Sequence, residues 1–110
     1  MNWNHLTSEE QLTELIERSN QVPVAIFKHS TRCSISVMAK GRVEGGWNYS
    51  EDKVEPYFLD LLSYRSVSNL IAERLGVQHE SPQILLLKNG EVVYHTSHNG
   101  IRSEAIGDYL

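Results

Sequence analysis

At 110 residues, 40% hydrophobic and 22% charged, the chain has the makeup of one ordinary globular domain, large enough for a core without disulfide or metal staples. Its net charge of −4 gives no general attraction to nucleic acid or an anionic membrane, and no apolar run approaches the roughly 20 residues that span a bilayer. The single cysteine, Cys33, excludes an internal disulfide, so any disulfide chemistry has to be intermolecular.

The opening residues Met1-Asn2-Trp3-Asn4-His5 carry neither the charged nor the apolar region of a secretory signal, so a cytoplasmic setting is expected. Thr7 and Glu10 stand at capping-box spacing, and Leu12, Leu15 and Ile16 then recur at helical spacing until Ser19-Asn20-Gln21. Val22 to Phe27 is β-branched and almost continuously apolar, which predicts a strand buried on both faces. Ile35, Val37, Met38 and Val43 can line one side of a second helix, stopped by Gly45-Gly46. Trp47 to Asp52 reads as a loop, in which Trp47 and Tyr49 serve equally well as a substrate rim or as anchors.

A second strand is expected within Glu55–Leu62. A third helix is expected from Ser66, with Val67, Leu70, Ile71 and Leu75 on one face and Gly76 at its end. Ile84 to Leu87 is the most apolar run and reads as a central strand; Asn89-Gly90 then predicts a hairpin into Val92, Val93 and Tyr94. Ile101, Ala105, Ile106 and Tyr109 predict a final helix over Ile101–Leu110. This alternation predicts an α/β fold, a mixed four-stranded sheet with helices on both faces; helix-linked strands would pair in parallel and the hairpin antiparallel.

Two stretches carry a family resemblance. Ser81-Pro82-Gln83-Ile84-Leu85-Leu86-Leu87-Lys88-Asn89-Gly90-Glu91-Val92-Val93 resembles the thioredoxin family's proline–strand–Asn-Gly–strand segment. Cys33-Ser34-Ile35-Ser36 resembles that family's C-x-x-C motif with serine in the second place. Within the superfamily, Lys28-His29-Ser30-Thr31-Arg32-Cys33-Ser34-Ile35-Ser36 is most similar to the monothiol bacilliredoxins, the YtxJ family of bacillithiol-linked stress proteins. Their usual motif is Thr-Cys-Pro-Ile-Ser; here Ser34 replaces the proline and Arg32 stands between Thr31 and Cys33.

The resemblance runs end to end and implies a thioredoxin-like fold with strand order 2-1-3-4, counting strands along the chain. It implies a cis Pro82 that faces Cys33 and presents the backbone of Ser81 to an extended disulfide substrate. It further implies bacillithiol as co-substrate with no tightly bound cofactor, and partners that are S-thiolated client proteins and a low-molecular-weight thiol or reductase.

The residues themselves make Cys33 the candidate nucleophile. A thiol at a helix start faces free N–H groups, and Lys28, Arg32 and the Ser36 hydroxyl are expected to add charge or hydrogen bonds that favour thiolate; Thr31 belongs to the same supporting stretch. His29 can assist proton transfer or be simply a hydrogen-bonded residue. Ser36 cannot resolve a mixed disulfide on Cys33, so the adduct waits for an outside thiol; the bland alternative makes Ser36 a helix-surface residue. His79, His95 and His98 lack convergent cysteines or carboxylates, so no metal site is expected. The expected activity is removal of a small thiol from oxidised proteins. The rivals are a redox sensor or thiol carrier and a binding module with an idle thiol, while Ser34 and Ile35 argue against an iron–sulfur carrier of the Cys-Gly-Phe-Ser kind.

Overall fold

The computed structural model describes residues 1–110. In chain order they form β1 (Asn4–His5), α1 (Glu9–Arg18), β2 (Val24–His29), α2 (Ser34–Gly46), β3 (Glu55–Asp60), α3 (Arg65–Leu75), β4 (Gln83–Lys88) and β5 (Glu91–Ser97). Two 3₁₀ segments follow, His98–Gly100 and Ser103–Tyr109. The strands make one mixed sheet in the order β1-β3-β2-β4-β5. The four expected strands therefore stand in the expected order, and β1 is an addition in which Asn4 and His5 pair in parallel with Tyr57 and Phe58. Two residues are too few to show a period, which is why the sequence hides this strand.

Residue alternation along β2 divides the core. Val24 and Ile26 face a cluster with Leu12 and Leu15 of α1 and Val67 and Ile71 of α3. Ala25 and Phe27 face Ala39 and Val43 of α2 together with Ile101 and Ile106. Helices thus cover both faces, and β2, buried at every residue, is the spine between them.

Strand direction departs from expectation at α3. β2 and β3 are parallel, but β4 is antiparallel to β2 even though a helix separates β3 from β4. The seven residues from Gly76 to Pro82 reach up to about 23 Å when extended, enough to carry the chain back along an 11-residue helix and enter the sheet from the other end. β2 therefore ends, and β4 begins, at the same edge.

Local details follow from specific side chains. The cap of α1 is Ser8, whose hydroxyl accepts the Gln11 N–H at 3.1 Å, so the expected Thr7–Glu10 box is displaced by one residue. Gln11 Oε1 accepts the Thr7 N–H instead. Asn89 and Gly90 take φ of 55° and 81°, the left-handed pair a tight hairpin needs. Ser19 clasps that turn, its carbonyl accepting the Asn89 N–H and its hydroxyl the Gly90 N–H, each at 2.8 Å. The expected final α-helix is instead 3₁₀ over Ser103–Tyr109. The Ser103 carbonyl accepts the Tyr49 hydroxyl at 2.9 Å and the Ser103 hydroxyl donates to the Val43 carbonyl, so this turn is shaped by the loop and helix it covers.

Candidate active site

β2 runs into a tight turn closed by the Cys33 N–H donating to the Ser30 carbonyl at 3.2 Å. Cys33 is the N-cap of α2, extended at φ −110° and ψ 119°, and its carbonyl accepts the Val37 N–H at 3.1 Å. No side chain caps this helix start. The free, partly exposed thiol stands beside the unclaimed N–H groups of the first turn, the end of a helix that favours negative charge.

Ser36 is fully buried, which rules out the helix-surface reading. Its Oγ accepts the Ser30 N–H at 3.0 Å and shares a 2.7 Å hydrogen bond with His29 Nδ1. No hydrogen bond joins it to Cys33, so the expected thiolate donor is a lock on the turn that carries the thiol. His29 is itself buried, sits against Phe27 and Phe58, and is held below the usual histidine range chiefly by burial. The hydrogen-bonded reading of His29 is the one the geometry supports. Ser36→Ala leaves the Ser30 N–H and His29 without this partner, and is expected to destabilise the protein by about 1–3 kcal/mol in urea unfolding. An unchanged midpoint would show that the lock is dispensable.

Lys28 overturns its expected role. Strand alternation sends it to the opposite face from His29, and it is fully buried there. Its Nζ lies 3.3 Å from the Ser68 carbonyl, to which it donates, and 3.2 Å from His79 Nδ1. Burial lowers its pKa to about 8. Lys28 belongs to the floor under α3, not to the surroundings of the thiol. His79 is thereby spent on Lys28 and Ser68. Thr31 and Arg32 are exposed in the turn immediately before Cys33, and Arg32 makes no ion pair.

The Ser81–Pro82 peptide is cis. β2 and β4 pair up to Lys28 and Gln83, and the same register continued places Pro82 opposite His29 and Ser81 opposite Ser30. Both reach the sheet edge from which the thiol loop springs. Ser81 Oγ is buried without a hydrogen-bond partner.

The face of α2 is turned from the one expected. Ser36, Ala39 and Val43 are buried, whereas Ile35, Val37 and Met38 are 44%, 53% and 65% exposed. An apolar outer surface thus begins next to Cys33. Trp47 and Tyr49 pack on each other and on the C-terminal segment, at the far end of a 13-residue helix about 20 Å long. They are anchors for the loop, away from the thiol.

Comparisons with known proteins bear on the family and the fold. The family model for the monothiol bacilliredoxin BrxC matches residues 4–106. One solved structure, described as a candidate oxidoreductase with a thioredoxin fold, matches with a TM-score of 0.80 at 32% identity, covering 94% of this chain and 89% of that one. The thioredoxin of Trypanosoma brucei brucei matches with a TM-score of 0.75 at 14% identity, over 98% of this chain and 90% of its own. The thioredoxin of Malassezia sympodialis gives 0.72 at 18%, over 98% and 87%. The last two speak to fold alone.

Proposed function

The chain belongs to the monothiol bacilliredoxin family, and from that premise we propose that it removes bacillithiol, or a closely similar small thiol, from S-thiolated proteins. Fold and family are those of thiol–disulfide oxidoreductases in general. The observation that carries the narrower reading is the pairing of one free thiol at the start of α2 with a buried hydroxyl at Ser36.

In this reading the Cys33 thiolate attacks the cap's sulfur in a protein–S–S–cap disulfide. A bond forms between Cys33 and the cap, the old S–S bond breaks, and the client leaves as a thiolate that takes a proton from water. Ser36 has no sulfur with which to continue, so a second small thiol or a reductase attacks the Cys33 adduct and restores the enzyme. No bound cofactor enters either exchange, and a reducing cytoplasm would supply the second thiol. Ser81 and cis Pro82, at the same sheet edge, offer backbone to an extended substrate.

The exposed Ile35, Val37 and Met38 supply an apolar platform for the client beside the thiol. Met38→Glu should slow cap removal from a protein severalfold while sparing transfer from a small symmetric disulfide; equal slowing of both would remove the platform from the mechanism. The function itself is tested by multiple turnover. With excess bacillithiol, catalytic amounts of the protein should strip many equivalents of cap from a bacillithiolated client, and Cys33→Ala should strip none. Cys33 labelling without turnover would mark a thiol carrier instead.

A further inference from the structure

A groove of about 460 Å³ opens one residue from Cys33, lined by Thr31 and Arg32 on one side and by Asp60, Leu62, Ser63 and Arg65 on the other. The two walls come from distant parts of the chain and are joined at the sheet edge, where the Leu61 N–H donates to the His29 carbonyl at 3.0 Å. Both guanidinium groups are exposed, and neither makes an ion pair. Asp60 is the one carboxylate in the groove, and it is occupied within its own turn. Its Oδ1 accepts the Leu62 N–H at 3.2 Å and its Oδ2 accepts the Ser63 hydroxyl at 3.0 Å. Neutral donors hold the Asp60 carboxylate in place without cancelling its charge, so the groove carries two exposed guanidinium groups against one fixed carboxylate, beside the loop that bears Cys33. A guanidinium fits a carboxylate through paired N–H donors, and Thr31 and Ser63 add hydroxyls at the rim.

We propose that Arg32 and Arg65 select caps that carry a carboxylate, gripping that group while its sulfur lies at Cys33. This rests on the cap-removal reading above and adds to it the two residues that read the cap's charge. Arg65 is a specificity residue: it stands at the first turn of α3, outside the thiol loop, and takes no part in the exchange of bonds.

The test uses one uncharged peptide whose cysteine is capped in turn by 3-mercaptopropionate, 2-mercaptoethanol or cysteamine. The leaving thiolate is then the same in every case, and differences in the caps' own sulfur reactivity cancel when each variant's ratio is compared with that of the wild type. Transfer to Cys33 is followed by intact mass. Wild type should take the anionic cap faster than the neutral one by about tenfold, the lower end for a hydrogen bond to a charged group, and the cationic cap slowest. Arg65→Gln should lower the anionic-to-neutral ratio severalfold with Arg32 still in place and Arg65→Glu should lower it further, the neutral cap serving as internal control for folding. An acidic peptide bearing the neutral cap separates the two sources of a carboxylate. Acceleration there, with no preference among caps, would assign the arginines to the client and overturn the proposal. A wild-type ratio of one, or a ratio unchanged in both variants, would also overturn it while leaving cap removal standing. Absence of transfer from every cap would overturn both.

Discussion

Ser36→Cys should convert a protein that holds its cap into one that expels it. On the proposed mechanism the wild-type Cys33 adduct waits for an outside thiol, because the side chain one helical turn along is a hydroxyl. A thiol at that position sits on the same first turn of α2 as the Cys33 N-cap. It can attack the Cys33 sulfur, release the cap as a free thiolate, and leave a disulfide within the chain. An intramolecular attack of this kind exceeds attack by millimolar external thiol by about 100-fold or more. Mass spectrometry after a single exposure to a capped client should find the variant two hydrogens lighter and uncapped, where the wild type carries the cap. Persistence of the capped variant, with the lifetime of the wild-type adduct, would mean that Ser36 does not decide the reaction type. The variant also loses the Ser36 bridge between Ser30 and His29, so its stability should be measured alongside.

Lys28→Met should stabilise the fold. Lys28 is fully buried with only the Ser68 carbonyl and His79 as partners, and no carboxylate meets it. Burial lowers its pKa from 10.5 to about 8. Below pH 8 both the folded and the unfolded chain carry the charge, and the folded state bears its desolvation. Between pH 8 and about 10.5 the folded state has released the proton while the unfolded chain retains it, so this residue's contribution to stability rises with pH. The full difference is about 3 kcal/mol. Methionine fills a similar volume with no charge to desolvate, so at pH 7 the variant should gain about 2–3 kcal/mol, and the gap should close toward pH 10.5. His79, held below the usual histidine range by burial and then by Lys28, should titrate closer to normal in the variant. A variant less stable than wild type at pH 7 would show that the lysine's two hydrogen bonds outweigh its burial.

Lys28 also shows where sequence and space part company. It is adjacent to His29 in the chain, yet strand alternation sends it beneath α3, and the period of two along Val24, Ile26 and Lys28 was the signal that placed it there. The buried strands were legible because β-branched and apolar runs leave them no other place. Asn89-Gly90 was legible because few sequences tolerate two left-handed residues in a row. The outward face of α2 was not, since Ile35, Val37 and Met38 obey the rule for a core while lying on the surface beside the thiol. Such a breach of pattern is expected where a surface has work besides folding. Arg65 carries no local mark at all; only the fold brings it to the groove that Arg32 also lines.

The most direct test is a single-turnover reaction between the pure protein and one equivalent of a bacillithiolated client, quenched with acid and weighed intact. The cap's mass should leave the client and appear on this chain, on the peptide containing Cys33, in equal amounts. A client that keeps its cap while Cys33 stays free would contradict the proposed exchange at its first step.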